Sequence, residues 1–151
     1  MKNGKKNIRA LIGLGIFLLA AGAGTSGCQV QQDNSRKARL AVIVKSTESA
    51  FWKSVQAGAS SACTEYNLQM SFEGPDSEED YETQNRMIED AVEEGVEAIV
   101  FSAVDYNANS EAIQEAARKG IKIVVIDSDV NASQVSSRIG TDNFQAGFMA
   151  G

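Results

Sequence analysis

From position 38 onward the apolar residues fall into two alternating rhythms. Short unbroken runs recur at Leu40 to Val44, Leu68 to Phe72, Ala98 to Phe101, Ile121 to Ile126 and, more weakly, Val135 to Ile139. Such runs, rich in β-branched residues, are what a strand buried on both faces of a parallel sheet requires. Between them the period becomes helical: Phe51, Val55, Ala59, Ala62 and Tyr66 share one face, followed by Met87, Ile88, Ala91 and Val92, then Ala112, Ile113, Ala116 and Ala117. Asp76 and Glu79 form a D-x-x-E capping pattern, and Gly95 and Gly120 stand where helices should end. Alternating strands and helices predict right-handed crossovers and an α/β fold, a doubly wound parallel sheet of order 2-1-3-4-5. Cys63 lies on the apolar side of the first helix, where a small hydrophobe is expected.

The first 37 residues follow a different logic. Residues 2 to 9 are basic, and Ala10 to Ala23 is an uninterrupted small or apolar run, together the n- and h-regions of a secretory signal. The run falls short of the roughly 20 residues that span a bilayer. It ends in Thr25-Ser26-Gly27-Cys28, similar to a lipobox with Thr25 where Leu is commoner, so Cys28 is expected to take a diacylglycerol. Residues 1–27 are therefore expected to be a lipoprotein signal peptide, 28–37 a flexible tether, and 38–151 the folded domain. Gly22 to Gly27 matches G-x-G-x-x-G, but inside a signal segment the match carries no nucleotide chemistry.

Composition narrows the chemistry. The 151-residue chain has no His, which excludes His-dependent triads and His-ligated zinc. The net charge is −6, and Lys2, Lys5, Lys6 and Arg9 all lie in the signal segment, so the remainder is more acidic still. Nucleic acid is not an expected partner of such a surface. Cys28 and Cys63 lack a paired metal spacing, and no metal or other cofactor is implied.

In a doubly wound sheet the ligand binds outside the carboxyl ends of the strands. That rule selects the loops Lys45 to Trp52, Glu73 to Ser77, Ser102 to Asn107, Asp127 to Asn131 and Thr141 to Asn143. None carries a phosphate-binding glycine pattern. Asp127-x-Asp129-x-Asn131 begins like a calcium loop, but Ala132 and Arg138 stand where that loop needs Gly and Glu. A receiver domain shares the sheet order, yet Lys45-Ser46 occupies the place of its acidic pair. What remains is aromatic and carboxylate side chains at strand ends. Phe51 and Trp52 point about 100° apart on a helix, so one of them is expected to face the crevice. Asp127 can accept hydrogen bonds from two neighbouring hydroxyls of a sugar. Asp105, Asp129 and Asp142 precede turns or helix starts and fit caps as well as ligands. Lys45, at the exit of a buried strand, is expected to reach the crevice, where it would favour an acid or a phosphate.

On these residues the chain from Arg39 to Gly151 resembles the ribose-binding-protein family, the sugar-binding group of type I periplasmic binding proteins. The family's Asn-Pro-Phe-Phe after the first strand corresponds to Ser49-Ala50-Phe51-Trp52, which implies ring stacking from Phe51 or Trp52 and a hydrogen bond from Ser49. Its third-strand approach corresponds to Glu94 to Val100, and its strand ending in the ligand Asp corresponds to Ile123 to Asp127, with Ser128 replacing a common Arg. Its Asp-Asn-containing segment corresponds to Ile139 to Gly147 and includes Asp142. The resemblance implies a non-enzymatic, lipid-anchored receptor outside the cytoplasmic membrane or in the periplasm, which captures a sugar or similar polar ligand and hands it to an ABC permease. It implies that 38–151 is the first lobe of a two-lobed body, cut short within the helix after Asp142. Related repressors share the fold but begin with a helix-turn-helix, where this chain has a signal. A sensing receptor for a membrane kinase would use the same lobe. A hydrolase working with two of Asp105, Asp127, Asp129 and Asp142 would need carboxylates about 5 to 9.5 Å apart, which no spacing in the sequence indicates.

Overall fold

The first strand, β1 (Arg39–Ile43), occupies the interior of a sheet and explains the unbroken apolar run. Ala41, Val42, Ile43 and Val44 are each no more than 2% exposed, because helices cover both faces. The structure, a computed structural model, describes residues 36–151. The other strands are β2 (Gln69–Glu73), β3 (Ala98–Phe101), β4 (Lys122–Ile126) and β5 (Ser137–Ile139), all parallel, in the order β2-β1-β3-β4-β5. The helices are α1 (Ala50–Glu65), α2 (Tyr81–Glu93), α3 (Ser110–Arg118) and α4 (Asn143–Ala150). This is the doubly wound order expected from the sequence. Leu40 pairs with Met70 on one side and with Ala98 on the other, so chain direction reverses its travel at β1, and a crevice opens between β1 and β3.

Side-chain alternation divides the core in two. Ala41, Ile43, Ile99, Phe101, Ile123 and Val125 face α2 and α3, meeting Ile88, Ala91, Ile113 and Ala116. Each fully buried isoleucine there contributes about 1.5 to 3 kcal/mol. Val42 and Val44 face the other way, against Trp52 of α1, with Val55, Phe72 and Val100 half-buried around them. Gly95 (φ 68°) and Gly120 (φ 89°) end α2 and α3 in the left-handed region, where a side chain would be strained.

Two sequence expectations are corrected. The inward face of α1 is Trp52, Val55, Ala59 and Cys63, while Phe51, Ala62 and Tyr66 are exposed. The stripe is rotated by one residue because the indole fills the space beside Val42 and Val44. The cap of α2 is Asp80, not Asp76. Its carboxylate accepts from the Thr83 amide at 2.9 Å and from the Thr83 hydroxyl at 2.6 Å, a double engagement that Asp76 lacks. Those bonds from Thr83 hold the Asp80 carboxyl below its ordinary value.

α2 also carries a fully buried amide. Gln84 is 0% exposed, and its Nε2 donates to the carbonyls of Val44 (3.0 Å) and Ser102 (2.9 Å), while its Oε1 accepts from the amide of Val104 (2.9 Å). The side chain thus joins the exits of β1 and β3. Leucine at this position keeps the volume but leaves three buried backbone groups without this partner. Gln84→Leu is expected to lower unfolding free energy by about 2 to 4 kcal/mol, read from urea titration with circular dichroism.

Candidate functional site: a polar cleft at the strand ends

Four chain segments leave the sheet on the same side: Lys45 after β1, Ser102 after β3, Asp127 after β4 and Thr141 after β5. They frame an open cleft of about 560 Å³, lined by Lys45, Glu78, Tyr106, Asp127, Ser128 and their neighbours. That volume suits a small ligand. A second groove, of about 480 Å³, runs between α2 and α3 on the far side of those helices and gathers Glu89, Glu93, Glu111 and Glu115 beside apolar side chains. Its charges lie away from the strand ends.

The centre of the cleft is an ion pair. Lys45 Nζ stands 3.2 Å from Asp127 Oδ2, with the lysine side chain 22% and the aspartate 40% exposed. The same oxygen accepts from the hydroxyls of Ser128 (3.1 Å) and Ser102 (3.4 Å). The lysine ammonium also sits 5.9 Å from the Trp52 ring centroid, within cation–π range. Lys45 does reach the crevice, but its charge there is matched by Asp127. Asp127 has φ 57°, a conformation uncommon outside glycine, stabilised by its amide donating to the Ile139 carbonyl at 3.0 Å. Backbone strain of this kind persists where surrounding structure over-determines it, and it concentrates at ligand sites.

Of the two aromatics at the start of α1, Trp52 turns inward and is 2% exposed, while Phe51 is 56% exposed. Their rings meet edge to face at 4.8 Å. Trp52 remains tied to the cleft through its indole N–H, which donates to Glu78 Oε1 at 3.0 Å. The loop bearing Glu78 is seated by Gly74, where a Cβ would lie 2.9 Å from the Val44 carbonyl oxygen. Only a residue without a side chain permits that approach.

The remaining candidates engage their own backbone. Ser49 caps α1 by accepting from the Trp52 amide at 3.3 Å, and Asp142 caps α4 by accepting from the Gln145 amide at 3.0 Å. Asp105 accepts from the amides of Ala108 (2.7 Å) and Asn107 (2.8 Å), which hold its carboxyl below its ordinary value. Asp129 is bound by Arg138 Nε at 2.8 Å. The structure therefore brings together Lys45, Trp52 and Asp127, and uses Ser49, Asp105 and Asp142 as turn and helix caps. Glu78, Tyr106, Ser102 and Ser128 join the site without having been singled out as ligands. For the two serines the signal was position, since each directly follows a strand or its terminal Asp. For Glu78 there was none, because its partner Trp52 is 26 residues away.

A family model for the periplasmic binding protein domain matches residues 40–151. The chain belongs to that family. A search of curated proteins finds no match. Among solved structures, a carbohydrate transporter solute-binding protein from Agrobacterium radiobacter in complex with D-arabinose superposes with TM-score 0.73 at 32% identity, covering 77% of this chain and 39% of that one. A sugar transporter from Clostridium phytofermentans gives TM-score 0.70 at 34% identity, covering 76% and 43%. An ABC transporter solute-binding protein from Agrobacterium vitis with bound D-fucose gives TM-score 0.70 at 34% identity, covering 74% and 40%. The chain thus spans about two fifths of the length of these periplasmic binding proteins. Membership implies a place outside the cytoplasm and a family of binding proteins rather than enzymes.

Proposed function

We propose that residues 38–151 form the first lobe of a sugar-binding receptor that delivers its ligand to an ABC permease and is held at the membrane through a lipid on Cys28. The observation that carries the sugar reading is the Lys45–Asp127 pair at the switch of the sheet, flanked by two serine hydroxyls. A sugar hydroxyl both donates and accepts. Asp127 can take its proton while Lys45 or Ser128 donates to its oxygen, so the cleft matches a row of hydroxyls without any chemical step. The exposed ring of Tyr106, which lines the same cleft, offers an apolar face to the C–H side of a pyranose or furanose. Relatives at 32% and 34% identity bind D-arabinose and D-fucose, which supports the same ligand class here. Capture then depends on a second wall closing over the sugar.

The lipid anchor rests on the sequence alone, because the signal segment, Cys28 and most of the tether lie outside the described residues. Removing the carboxylate of Asp127 tests the site. In a protein carrying both lobes, Asp127→Asn, which tolerates the φ of 57° and keeps an oxygen for the serine hydroxyls, is expected to weaken sugar binding by about 1.5 to 3 kcal/mol, the scale of charge-assisted hydrogen bonds, with little change in melting temperature. Calorimetry showing unchanged affinity with a lowered melting temperature would make Asp127 a structural residue only. Cys28→Ser is expected to move the protein from the detergent phase to the aqueous phase on partitioning. If it stays with detergent, the apolar segment itself is the anchor.

A further inference from the structure

Four charged side chains line the cleft: Lys45, Glu78, Asp127 and Asp129. Lys45 is paired with Asp127 at 3.2 Å, and Asp129 is paired with Arg138 at 2.8 Å. Both available cations are thereby matched. Glu78 has no cationic partner among the described residues. Its Oε1 is fixed by the Trp52 indole N–H at 3.0 Å, a neutral donor that positions the carboxylate without cancelling its charge. Gly74 lets the Glu78 loop approach the exit of β1 closely, so this unmatched charge is built into the wall.

We infer that the cleft selects against sugar acids and sugar phosphates and for uncharged or aminated sugars, with Glu78 as the residue that sets this preference. This rests on the sugar reading above and names the charge class of its ligand. An incoming carboxylate or phosphate reaches Lys45 only beside Asp127, so that one ammonium then faces two anions while Glu78 adds a further unmatched negative charge to the same cleft. A neutral hydroxyl adds no charge, and it can donate to Glu78 and accept from Lys45 while the Lys45–Asp127 pair stays closed. An ammonium on the sugar gains Glu78 as a counter-ion. The lysine at the strand exit, which alone suggests an anionic ligand, is thus outweighed by the carboxylates around it.

The test compares one sugar ring carrying three charges. D-Galactose, D-galacturonate and D-galactosamine are titrated into the ¹⁵N-labelled 151-residue chain at pH 7, and the Trp52 indole and Asp127 amide resonances are followed. A single open wall binds in the millimolar range, which this method reads. At about 10 mM salt galacturonate is expected to bind at least about five-fold more weakly than galactose, with galactosamine the tightest. The galacturonate-to-galactose ratio should shrink at about 1 M salt, and should fall to about two-fold or less in Glu78→Gln, neither of which a purely structural role for Glu78 would produce. Galacturonate binding as tightly as galactose, or a ratio indifferent to salt and to Glu78→Gln, overturns the charge preference while leaving the sugar reading intact. Shifts with none of the three sugars, in this chain and in a protein carrying both lobes, remove the sugar reading itself and this inference with it.

Discussion

The side-chain amide of Gln84 holds together the place where the sheet changes direction. At a switch point two neighbouring strands send their chains to opposite faces, so the carbonyls and amides at their exits lose their ladder partners. Here the exits of β1 and β3 are left with the carbonyls of Val44 and Ser102 and the amide of Val104. One buried glutamine supplies two donors and one acceptor in the needed geometry. Because it projects from α2, the helix that packs on Ile43 and Ile99 through Ile88 and Ala91, the crevice width is tied to the core itself. Lys45 enters the cleft, and Ser102 braces Asp127 from below, on strands fixed in this way.

From that anchor the cleft is assembled by short polar links between loops distant in sequence. Ser102 reaches Asp127 and the Ser128 amide, Asp127 reaches Lys45, and Trp52 reaches Glu78. Trp52 serves two purposes at once. Its ring fills the core beside Val42 and Val44, and its one polar atom faces outward to orient a carboxylate. The result is a wall with alternating donors and acceptors, suited to hydroxyl recognition, whose cations are already engaged. The proposed charge selectivity rests on the carboxylate that is left over, and not on the lysine that is most conspicuous in the sequence.

Strand positions and their order were legible because each depended on local signals: unbroken apolar runs at Leu40 and Ile121, glycine at helix ends, and crossovers of fixed hand. The sheet reads 2-1-3-4-5 as expected. The face of α1 was not legible, since Phe51 and Trp52 are adjacent and only the shape of the space beside Val42 decides which one turns inward. The α2 cap was misplaced for a related reason: Asp76 and Asp80 both fit a cap, and the hydroxyl of Thr83 decides between them. Asp127 and Lys45 could be found at strand ends, but their pairing joins loops 82 residues apart and no spacing announces it. Glu78 escaped notice because its role is created by the indole it touches. Residues 1–27 and Cys28 stand on compositional signals, which need no fold to be read.

In the proposed receptor, sugar is held at the strand ends, between Lys45, Asp127 and Tyr106. A crystal structure of the chain grown with a saturating neutral sugar such as D-arabinose tests it most directly. Density is expected for one sugar with a hydroxyl within hydrogen-bond distance of Asp127 and with the Lys45–Asp127 pair still closed. Sugar seated instead in the groove between α2 and α3, with the strand-end cleft empty, would contradict it.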